Sequence, residues 1–558
     1  MKTTKLIVTI RKRLEDNYGA DGVEKIESAI AKLKECDDSR GINTLLVFLD
    51  DAASVEPYGL KPIEGKVSAV RCKRLIDLLY NSISPDYLVI LGADDVVPYF
   101  KVPNPSLQPS NGDDDEVVPT DNPYSCSKPF SAKKRESYLI PDRVVGRIPD
   151  LPGKATDIAW LLDYLEIACS WRGNAAAEYD KDLMVCCDSW RDAGEAVASY
   201  LSRAGRMMIA PPSLYNNTVT PPILSNSYDH RFHVIKCHGA PLDTTFYGQK
   251  GNQYPEVITS NALTGKTAVG TVIGAMCCYG AALFDPSHPG VKFEKKGDAP
   301  IPSTYLRQGA FGFVGSTTIA WVGVSTMLCA DWIVASFMRY VMEGASTGRA
   351  LLDAKQEFVR WINQQGRNPD ISDEKTLLQF QLLGDPSIHP VIAAGEIAAE
   401  AGSDPTVETA AVASLAFERR RRRLFRRVMG TELRRTLPKR EAVDEALSSE
   451  QDSQIAGVAQ RALNEVFGGG SDDFQTDFRP LIQRVTSTVP QENVGVSDAV
   501  AAGGTVGTVE ALSIAVGETF QYYWTARRKT ERVVDARMVK VETNRDGEVL
   551  RTQVLVTA

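Results

Sequence analysis

The chain has 558 residues, of which 43% are hydrophobic and 24% are charged, and its formal net charge is −8 at pH 7. This composition excludes wholesale disorder and a collagen-like repeat, and the length suffices for about three to five domains with a sizeable core. The acidic balance argues against a protein that binds nucleic acid over its whole surface.

The first residues and the cysteines predict a cytoplasmic protein. Only four apolar residues precede Arg11, fewer than the roughly 7–15 of a secretory leader. The ten cysteines include no Cys-x-x-Cys pair, so we expect free thiols and no zinc site. Two uncharged runs, 267–284 and 308–330, are long enough to cross a bilayer, but their Gly, Ser and Thr content favours buried strands and loops. We therefore expect no membrane span.

Residues 1–395 alternate apolar, strand-like runs with helical patterns. Helices are predicted over 23–33, after Ser189 and after Thr347. The alternation predicts an α/β fold with a mostly parallel sheet, or two such sheets, and helices on both faces. We assign 1–175 to an N-terminal α/β subdomain and 176–395 to a catalytic subdomain. Strands are predicted at 5–10, 45–49, 87–91, 183–187, 207–210, 233–237, 269–276 and 311–314.

An acidic segment interrupts the alternation. Residues 104–134 are rich in Pro, Ser and Asp and carry Asp113, Asp114, Asp115 and Glu116 in a row. Carboxylates clustered in this way could hold calcium, since hard cations prefer oxygen ligands. A solvated surface loop is the alternative that we favour.

The sequence changes character after residue 395. We divide the remainder into a helical, Arg-rich region at 396–470 and a C-terminal α+β module at 471–558. The stretch that begins at Arg419 and ends at Arg440 holds eleven basic residues and one acidic residue. It could bind a polyanion such as nucleic acid, be processed by a protease, or pair within the molecule. Near the end, Asp546-Gly547 between apolar runs predicts a β-hairpin.

Two strand ends carry candidate catalytic residues. One apolar run ends in Cys237-His238-Gly239, and another ends in Cys277-Cys278 followed by a small-residue turn. Sites of open α/β sheets form outside the carboxyl ends of strands, so consecutive parallel strands would bring imidazole and thiol together. A thiol near its ordinary pKa is mostly protonated at neutral pH, and an imidazole can accept its proton during attack. A buried core cysteine and a simple His-Gly turn are the structural alternatives.

The chain resembles the gingipain-like branch of the caspase-like cysteine peptidases. Besides His-Gly and cysteine after successive strands, five segments are similar to that family in order. They cover roughly residues 75–395 and are Tyr87-Leu-Val-Ile-Leu-Gly92-Ala-Asp-Asp-Val-Val-Pro98, Asp121-Asn-Pro-Tyr124, Leu139-Ile-Pro-Asp142-Arg-Val-Val-Gly146-Arg147-Ile-Pro149, Gln308-Gly-Ala-Phe-Gly-Phe-Val-Gly315-Ser316-Thr317 and Leu383-Gly384-Asp385-Pro386-Ser387.

The resemblance implies a catalytic dyad and an oxyanion hole. His238 would be the base and Cys277 the nucleophile, with the amides of Gly239 and Cys277 receiving the oxyanion. Cys277-x-x-Gly280 fits the gingipain-like pattern, whereas Cys278-x-Gly280 fits caspases proper, and we prefer Cys277. Because neighbouring side chains of a strand point to opposite faces, only one of the two can serve.

Substrate-binding residues are implied with less detail. Thr317 lies in the Gly-Ser-Thr loop of the resemblance, and Trp321 beyond it could line the pocket for the residue before the scissile bond, although a core position is equally open to it. No carboxylate that would select Arg or Lys is evident. The resemblance covers nothing beyond residue 395, and no family export signal or pro-segment is evident.

Together these patterns predict a cytoplasmic cysteine endopeptidase that cleaves protein substrates through a thioester. No cofactor is required, with calcium as an option. A regulatory protein partner or processing near residues 419–440 would control it, and a role in bacterial defence follows by analogy only. The alternative is a silent caspase-like scaffold whose Arg-rich segment binds nucleic acid or another polyanion.

Overall fold

The computed structural model describes residues 3–107, 113–153, 157–211, 227–292, 299–391, 427, 429–431, 433–434, 437–443, 449–467, 474–476, 480–490, 514–528 and 533–558. The statements below concern these residues.

Twenty-one strands are described. They are β1 (Thr3–Thr9), β2 (Ile42–Phe48), β3 (Tyr87–Leu91), β4 (Phe100–Pro103), β5 (Val117–Thr120), β6 (Val144–Ile148), β7 (Asp182–Cys187), β8 (Met208–Ala210), β9 (Phe232–Lys236), β10 (Thr245–Tyr247), β11 (Glu256–Thr259), β12 (Val272–Ala275), β13 (Gly312–Ser316), β14 (Trp321–Gly323), β15 (Phe380–Leu383), β16 (Lys439–Val443), β17 (Phe474–Thr476), β18 (Leu481–Pro490), β19 (Ile514–Arg528), β20 (Asp535–Thr543) and β21 (Val549–Thr557).

Eleven α-helices are described between and after these strands. They are α1 (Arg11–Ser39), α2 (Ala52–Val55), α3 (Ala69–Ile83), α4 (Ala159–Ser170), α5 (Arg191–Tyr200), α6 (Ser260–Leu263), α7 (Ile301–Arg307), α8 (Ala330–Met342), α9 (Thr347–Gln364), α10 (Ile371–Gln379) and α11 (Ser449–Phe467).

Ten strands form one mostly parallel sheet with the order β2-β1-β3-β6-β15-β13-β12-β9-β7-β8. All of its neighbours are parallel except β13 and β15, which run antiparallel. The sheet therefore consists of two parallel halves of opposite direction that meet at this pair. The first half uses strands from 1–175 and recruits β15 from much later in the chain, so one sheet crosses the boundary that we set at residue 175.

The predicted strands of 1–395 are confirmed, with ends shifted by up to three residues, and the predicted helices are confirmed, although the one predicted over 23–33 extends from Arg11 to Ser39. The amphipathic repeat of Val23, Ile26, Ile30 and Leu33 is buried in α1. Ser346 caps α9 by accepting a hydrogen bond from the Arg349 amide. The two long uncharged runs are largely buried around β12, β13 and β14. No helix in the described part of the chain has both the length and the apolar character that a membrane crossing requires.

A second, antiparallel sheet is built from the six C-terminal strands and extended by β14. Its order is β14-β21-β20-β19-β18-β16, with β17 paired to β19. The predicted hairpin is confirmed, because β20 and β21 pair antiparallel and Gly547 in their connection has a φ of 82°. β14 lies in the chain directly after β13, so the second sheet is attached at the carboxyl end of a strand of the first.

Two sequence-based expectations about charge and thiols are wrong in part. Cys36 and Cys169 form a disulfide between α1 and α4. The packing of these two helices brings the cysteines together, so the expectation that all ten cysteines are free thiols is wrong for this pair.

The acidic segment is not a wholly solvated loop. Asp113 is 1% exposed and forms an ion pair with Lys375 at 2.5 Å. The lysine compensates the charge of the buried carboxylate.

The Arg-rich stretch is described only in its second part. Arg434 is buried against Asp142 at 3.0 Å, and Arg440 is buried against Glu374 at 3.1 Å. For these two arginines the intramolecular pairing that we considered is confirmed, since their charges are compensated inside the molecule. The run 419–426 and residues 396–418 of the predicted helical region lie outside the described residues.

Candidate active site

His238 lies at the carboxyl end of the first sheet's second half. It follows β9 directly, and its backbone exchanges two 2.8 Å hydrogen bonds with Tyr247 of β10. This pairing holds the strand extended past its sheet neighbours. The side chain is fully buried, with the rings of Trp190 and Tyr254 at centroid distances of 4.5 and 5.3 Å. The aromatic contacts fix the plane of the imidazole.

Gln249 and Asp535 determine which imidazole nitrogen carries the proton. The Gln249 amide nitrogen donates to the Asp535 carboxylate at 3.0 Å, which leaves its Oε1 to accept from Nε2 of His238 at 3.0 Å. Nε2 is therefore protonated in the neutral ring. Nδ1 is buried and has no hydrogen-bond partner within the described residues. The lone pair of Nδ1 is thus free to accept a proton.

The electrostatics of this chain keep the imidazole neutral at pH 7. Burial lowers the pKa of His238 to about 4, although the Asp535 carboxylate acts in the opposite direction. Burial alone would raise the pKa of Asp535, but the neighbouring Arg537 guanidinium and His238 hold it below its ordinary value. Asp535 is therefore ionised and fixes the orientation of Gln249. It lies on β20, so the C-terminal sheet takes part in the site.

The pairing of β9 with β12 ends just before the two candidate cysteines. Ala275 pairs with Ile235, and the Met276 amide continues the ladder by donating to the Ile235 carbonyl at 2.7 Å. The Cys278 amide then leaves the ladder and donates to the Ala558 carbonyl, so both cysteines lie on a loop beyond the paired strands.

The two thiols have different neighbours. Cys277 Sγ lies 3.7 Å from the Ile235 carbonyl, inside the sheet. Cys278 Sγ accepts a hydrogen bond from the Ala320 amide at 3.2 Å, at the loop between β13 and β14. Burial raises the pKa of Cys278 to about 12 and that of Cys277 well above its ordinary value. Both are thiols rather than thiolates at neutral pH, so attack requires a base.

The loop that carries the cysteines is held by the end of β13. Ser316 Oγ donates to the Cys277 carbonyl at 2.7 Å, and the amide of Tyr279 donates to the Thr318 carbonyl at 3.0 Å. Tyr279 has a φ of 54°, a left-handed conformation that turns the chain sharply after Cys278. Its hydroxyl donates to Asp115 at 2.8 Å. The acidic segment therefore anchors this turn.

An extended segment of the chain occupies the space beside Cys278. β21 pairs antiparallel with β14, with Thr557 opposite Trp321 and Leu555 opposite Gly323. Beyond the strand, the Ala558 amide donates to the Ala320 carbonyl at 3.0 Å. The Ala558 carbonyl accepts a hydrogen bond from the Cys278 amide at 2.6 Å. The backbone carbonyl oxygen of Ala558 is thus held by the backbone N–H of a candidate nucleophile.

A buried ion pair fixes β14 relative to His238. Lys236, two residues before His238 and on the same face of β9, pairs with Asp331 at 2.5 Å, and both side chains are fully buried. Lys236 also donates to the Gly323 carbonyl at 3.1 Å, while the Gly323 amide donates to Asp331 at 2.8 Å. The strand that pairs with β21 is therefore attached to the strand that carries the imidazole.

The other residues named from the sequence lie around this edge with different roles. Gly239 packs so closely against the loop that an added Cβ would lie 2.0 Å from the Cys278 carbonyl. Thr317 is buried and donates to the Pro119 carbonyl at 2.7 Å. Trp321 is fully buried, and its Nε1 donates to Asp113 at 3.1 Å. Thr317 and Trp321 lie near the site, with their side-chain polar groups directed to structural partners. Their assignment to substrate remains a prediction.

Sequence reasoning missed Gln249, Asp535 and Ala558. Gln249 stands in a loop without a motif, and the other two lie far along the chain in a region that the resemblance does not cover. Only the pairing of β14 with β21 could have revealed them. No cluster of His, Cys, Asp or Glu in the described ranges has the geometry of a metal site, so the calcium option gains no support there.

Comparison with known proteins adds no relative. No family model matches the chain, and no curated protein matches it at a significant level.

Proposed function

We propose that the chain is a cysteine endopeptidase with a caspase-like arrangement of His238 and a cysteine. One observation supports this most: Gly239, the residue after His238, packs against the Cys278 carbonyl, and Nδ1 of His238 has no hydrogen-bond partner within the described residues. The amide of Cys278 already holds a backbone carbonyl. The resemblance favoured Cys277, whereas these contacts favour Cys278, and both enter the tests.

In the proposed reaction Nδ1 of His238 accepts the thiol proton while sulfur attacks the scissile carbonyl. The Cys278 amide stabilises the oxyanion, and loss of one such donor typically costs about 10²–10³ in rate. The imidazolium then protonates the leaving amine, the C–N bond breaks, and a thioester remains. Water, deprotonated by the neutral imidazole, hydrolyses the thioester to the acid and restores the thiol.

The proposal is tested by covalent labelling with peptide chloromethyl ketones that carry Ala, Arg or Asp before the ketone. The thiol sulfur displaces chloride, forming an S–C bond, and mass mapping identifies the alkylated cysteine. We expect labelling at Cys278 that is lost in His238→Ala and retained in His230→Ala. The probes are offered to the full chain and to chains that end at Thr557 or Val554. If none of these folded chains is labelled at Cys277 or Cys278 in a His238-dependent way, the peptidase proposal fails.

Asp535→Asn should lower kcat/KM by about tenfold, because a less firmly held Gln249 orients the imidazole less well. The acid limb of the pH–rate profile depends on protonation of His238 and should lie near pH 4 in the parent. It should move to lower pH in the variant, since removing the negative charge disfavours the imidazolium further.

The measurement for Asp535 is a pH–rate profile with a fluorogenic peptide amide, in the form of the chain that labels fastest. Asp546→Asn, in the exposed turn of the same hairpin, is the matched control and should leave the profile unchanged. A lower rate with an unmoved acid limb would show that Asp535 has only a structural role.

A further inference from the structure

We propose that residues 555–558 occupy the peptide-binding groove of this site, and that the groove takes an extended peptide with a small uncharged residue at Cys278. The inference rests on the proposed function and adds the ligand and the control of the site. The segment is here called the groove strand, and β14 with Ala320 forms the wall that it pairs with.

The groove strand has the backbone contacts that an acylating peptide needs. Its residues pair antiparallel with β14 from Leu555 to Thr557. At the next residue the amide binds the Ala320 carbonyl at 3.0 Å and the carbonyl binds the Cys278 amide at 2.6 Å. Main-chain bonds of this kind give affinity for any extended peptide, while the side-chain positions give selectivity.

The residue at the cysteine is small and enclosed. Ala558 has no exposed surface and belongs to the same apolar cluster as Cys277, Cys278 and Val556. A charged or long side chain at this position would have to displace packed neighbours or bury an uncompensated charge. We therefore expect Ala, rather than Arg or Asp, at the residue whose carbonyl is attacked.

The groove strand also excludes other peptides. It is joined covalently to β20 through a short hairpin, so its effective concentration at the wall reaches the millimolar range or higher. A substrate in solution must compete with this strand for the same backbone groups of β14 and Ala320. The occupied state is thus self-blocked, and activity requires the end of β21 to leave the wall.

The test compares four chains: the full chain, a chain ending at Val554, a chain ending at Thr557, and L550A. Leu550 is 55% exposed on the far part of β21, which makes L550A the matched control on the same strand. Two readouts are used. One is the shift in Tm on adding the free peptide acetyl-Leu-Val-Thr-Ala, and the other is the rate of Cys278 alkylation by the corresponding chloromethyl ketone.

We expect the peptide to raise the Tm of the chain ending at Val554, because it refills the wall, and to leave the full chain and L550A unchanged. The ketone should label the chain ending at Val554 at least about tenfold faster than the full chain, and its Arg analogue more slowly. Equal labelling of the full and shortened chains would overturn the blocking role while the peptidase stands. A peptide-dependent Tm shift without His238-dependent labelling would remove the peptidase and keep the groove.

Loss of four residues could unfold the second sheet, and the chain ending at Thr557 covers that case. It keeps β21 and frees only the Cys278 amide and the enclosed position of Ala558. Acetyl-Ala-chloromethyl ketone should alkylate it about tenfold faster than the full chain. An unchanged or slower rate in a folded chain would overturn the proposal.

Discussion

Cys278→Ala is expected to lower kcat/KM by about 10⁴-fold or more, whereas Cys277→Ala should change it by less than about tenfold. The reason is position. The Cys278 amide holds the carbonyl of the groove strand, and the Cys278 carbonyl packs against Gly239, the residue after His238. Cys277 faces the Ile235 carbonyl inside the sheet, where alanine leaves a small gap.

The measurement is the hydrolysis of a fluorogenic acetyl-Leu-Val-Thr-Ala amide by the full chain and by the chain ending at Val554. Thermal unfolding of each variant controls for loss of structure. The reverse pattern, with full activity in Cys278→Ala and none in Cys277→Ala, would return the role to the cysteine that the family resemblance prefers.

Lys5→Met is expected to lower the free energy of unfolding by about 3–5 kcal/mol. Lys5 Nζ lies 2.5 Å from Asp37 and 2.7 Å from Asp385, and all three side chains are fully buried. Burial lowers the pKa of Lys5, but the two carboxylates outweigh it and raise the pKa, so the ammonium stays charged. Methionine would fill the volume, leave the buried Asp385 carboxylate without Lys5, and leave Asp37 with only Arg40 at 3.3 Å.

Urea unfolding followed by circular dichroism measures this loss. Lys12→Met is the control, because Lys12 pairs with Asp16 at 2.9 Å on an exposed helix face, where an ion pair contributes little. A loss below about 1 kcal/mol for Lys5→Met would show that the carboxylates share a proton or recruit water instead.

The sequence predicted those elements of the fold whose signal lies within a short segment. Short apolar runs identified β1, β3 and β7, the spacing of apolar residues by three and four identified α1, and Asp546-Gly547 identified the hairpin, because these signals depend on neighbours in sequence. The recruitment of β15 into the first half of the sheet has no such signal. It depends on contacts such as Lys5 with Asp385, which join residues far apart in the chain.

The sequence predicted part of the candidate site for the same reason. His238-Gly239 and Cys277-Cys278 stand at strand ends, which sequence patterns locate. The choice between the cysteines depends on the contact of the Cys278 amide with Ala558, which pairing with a distant strand sets and no single segment encodes. Asp535 could not be found, since it lies on a sheet outside the resemblance and far from His238 and Gln249 in the chain.

The neighbouring strands β20 and β21 act on the site in opposite ways. β20 carries Asp535, which orients the proposed base His238 through Gln249. The end of β21 occupies the groove proposed for the substrate peptide. Removal of the whole module would therefore open the groove and also remove Asp535, which orients His238 through Gln249. An activator would have to displace only residues 555–558 at the end of β21 and leave β20 in place. Proteolytic trimming or local unfolding of this segment therefore fits the structure better than release of the whole module.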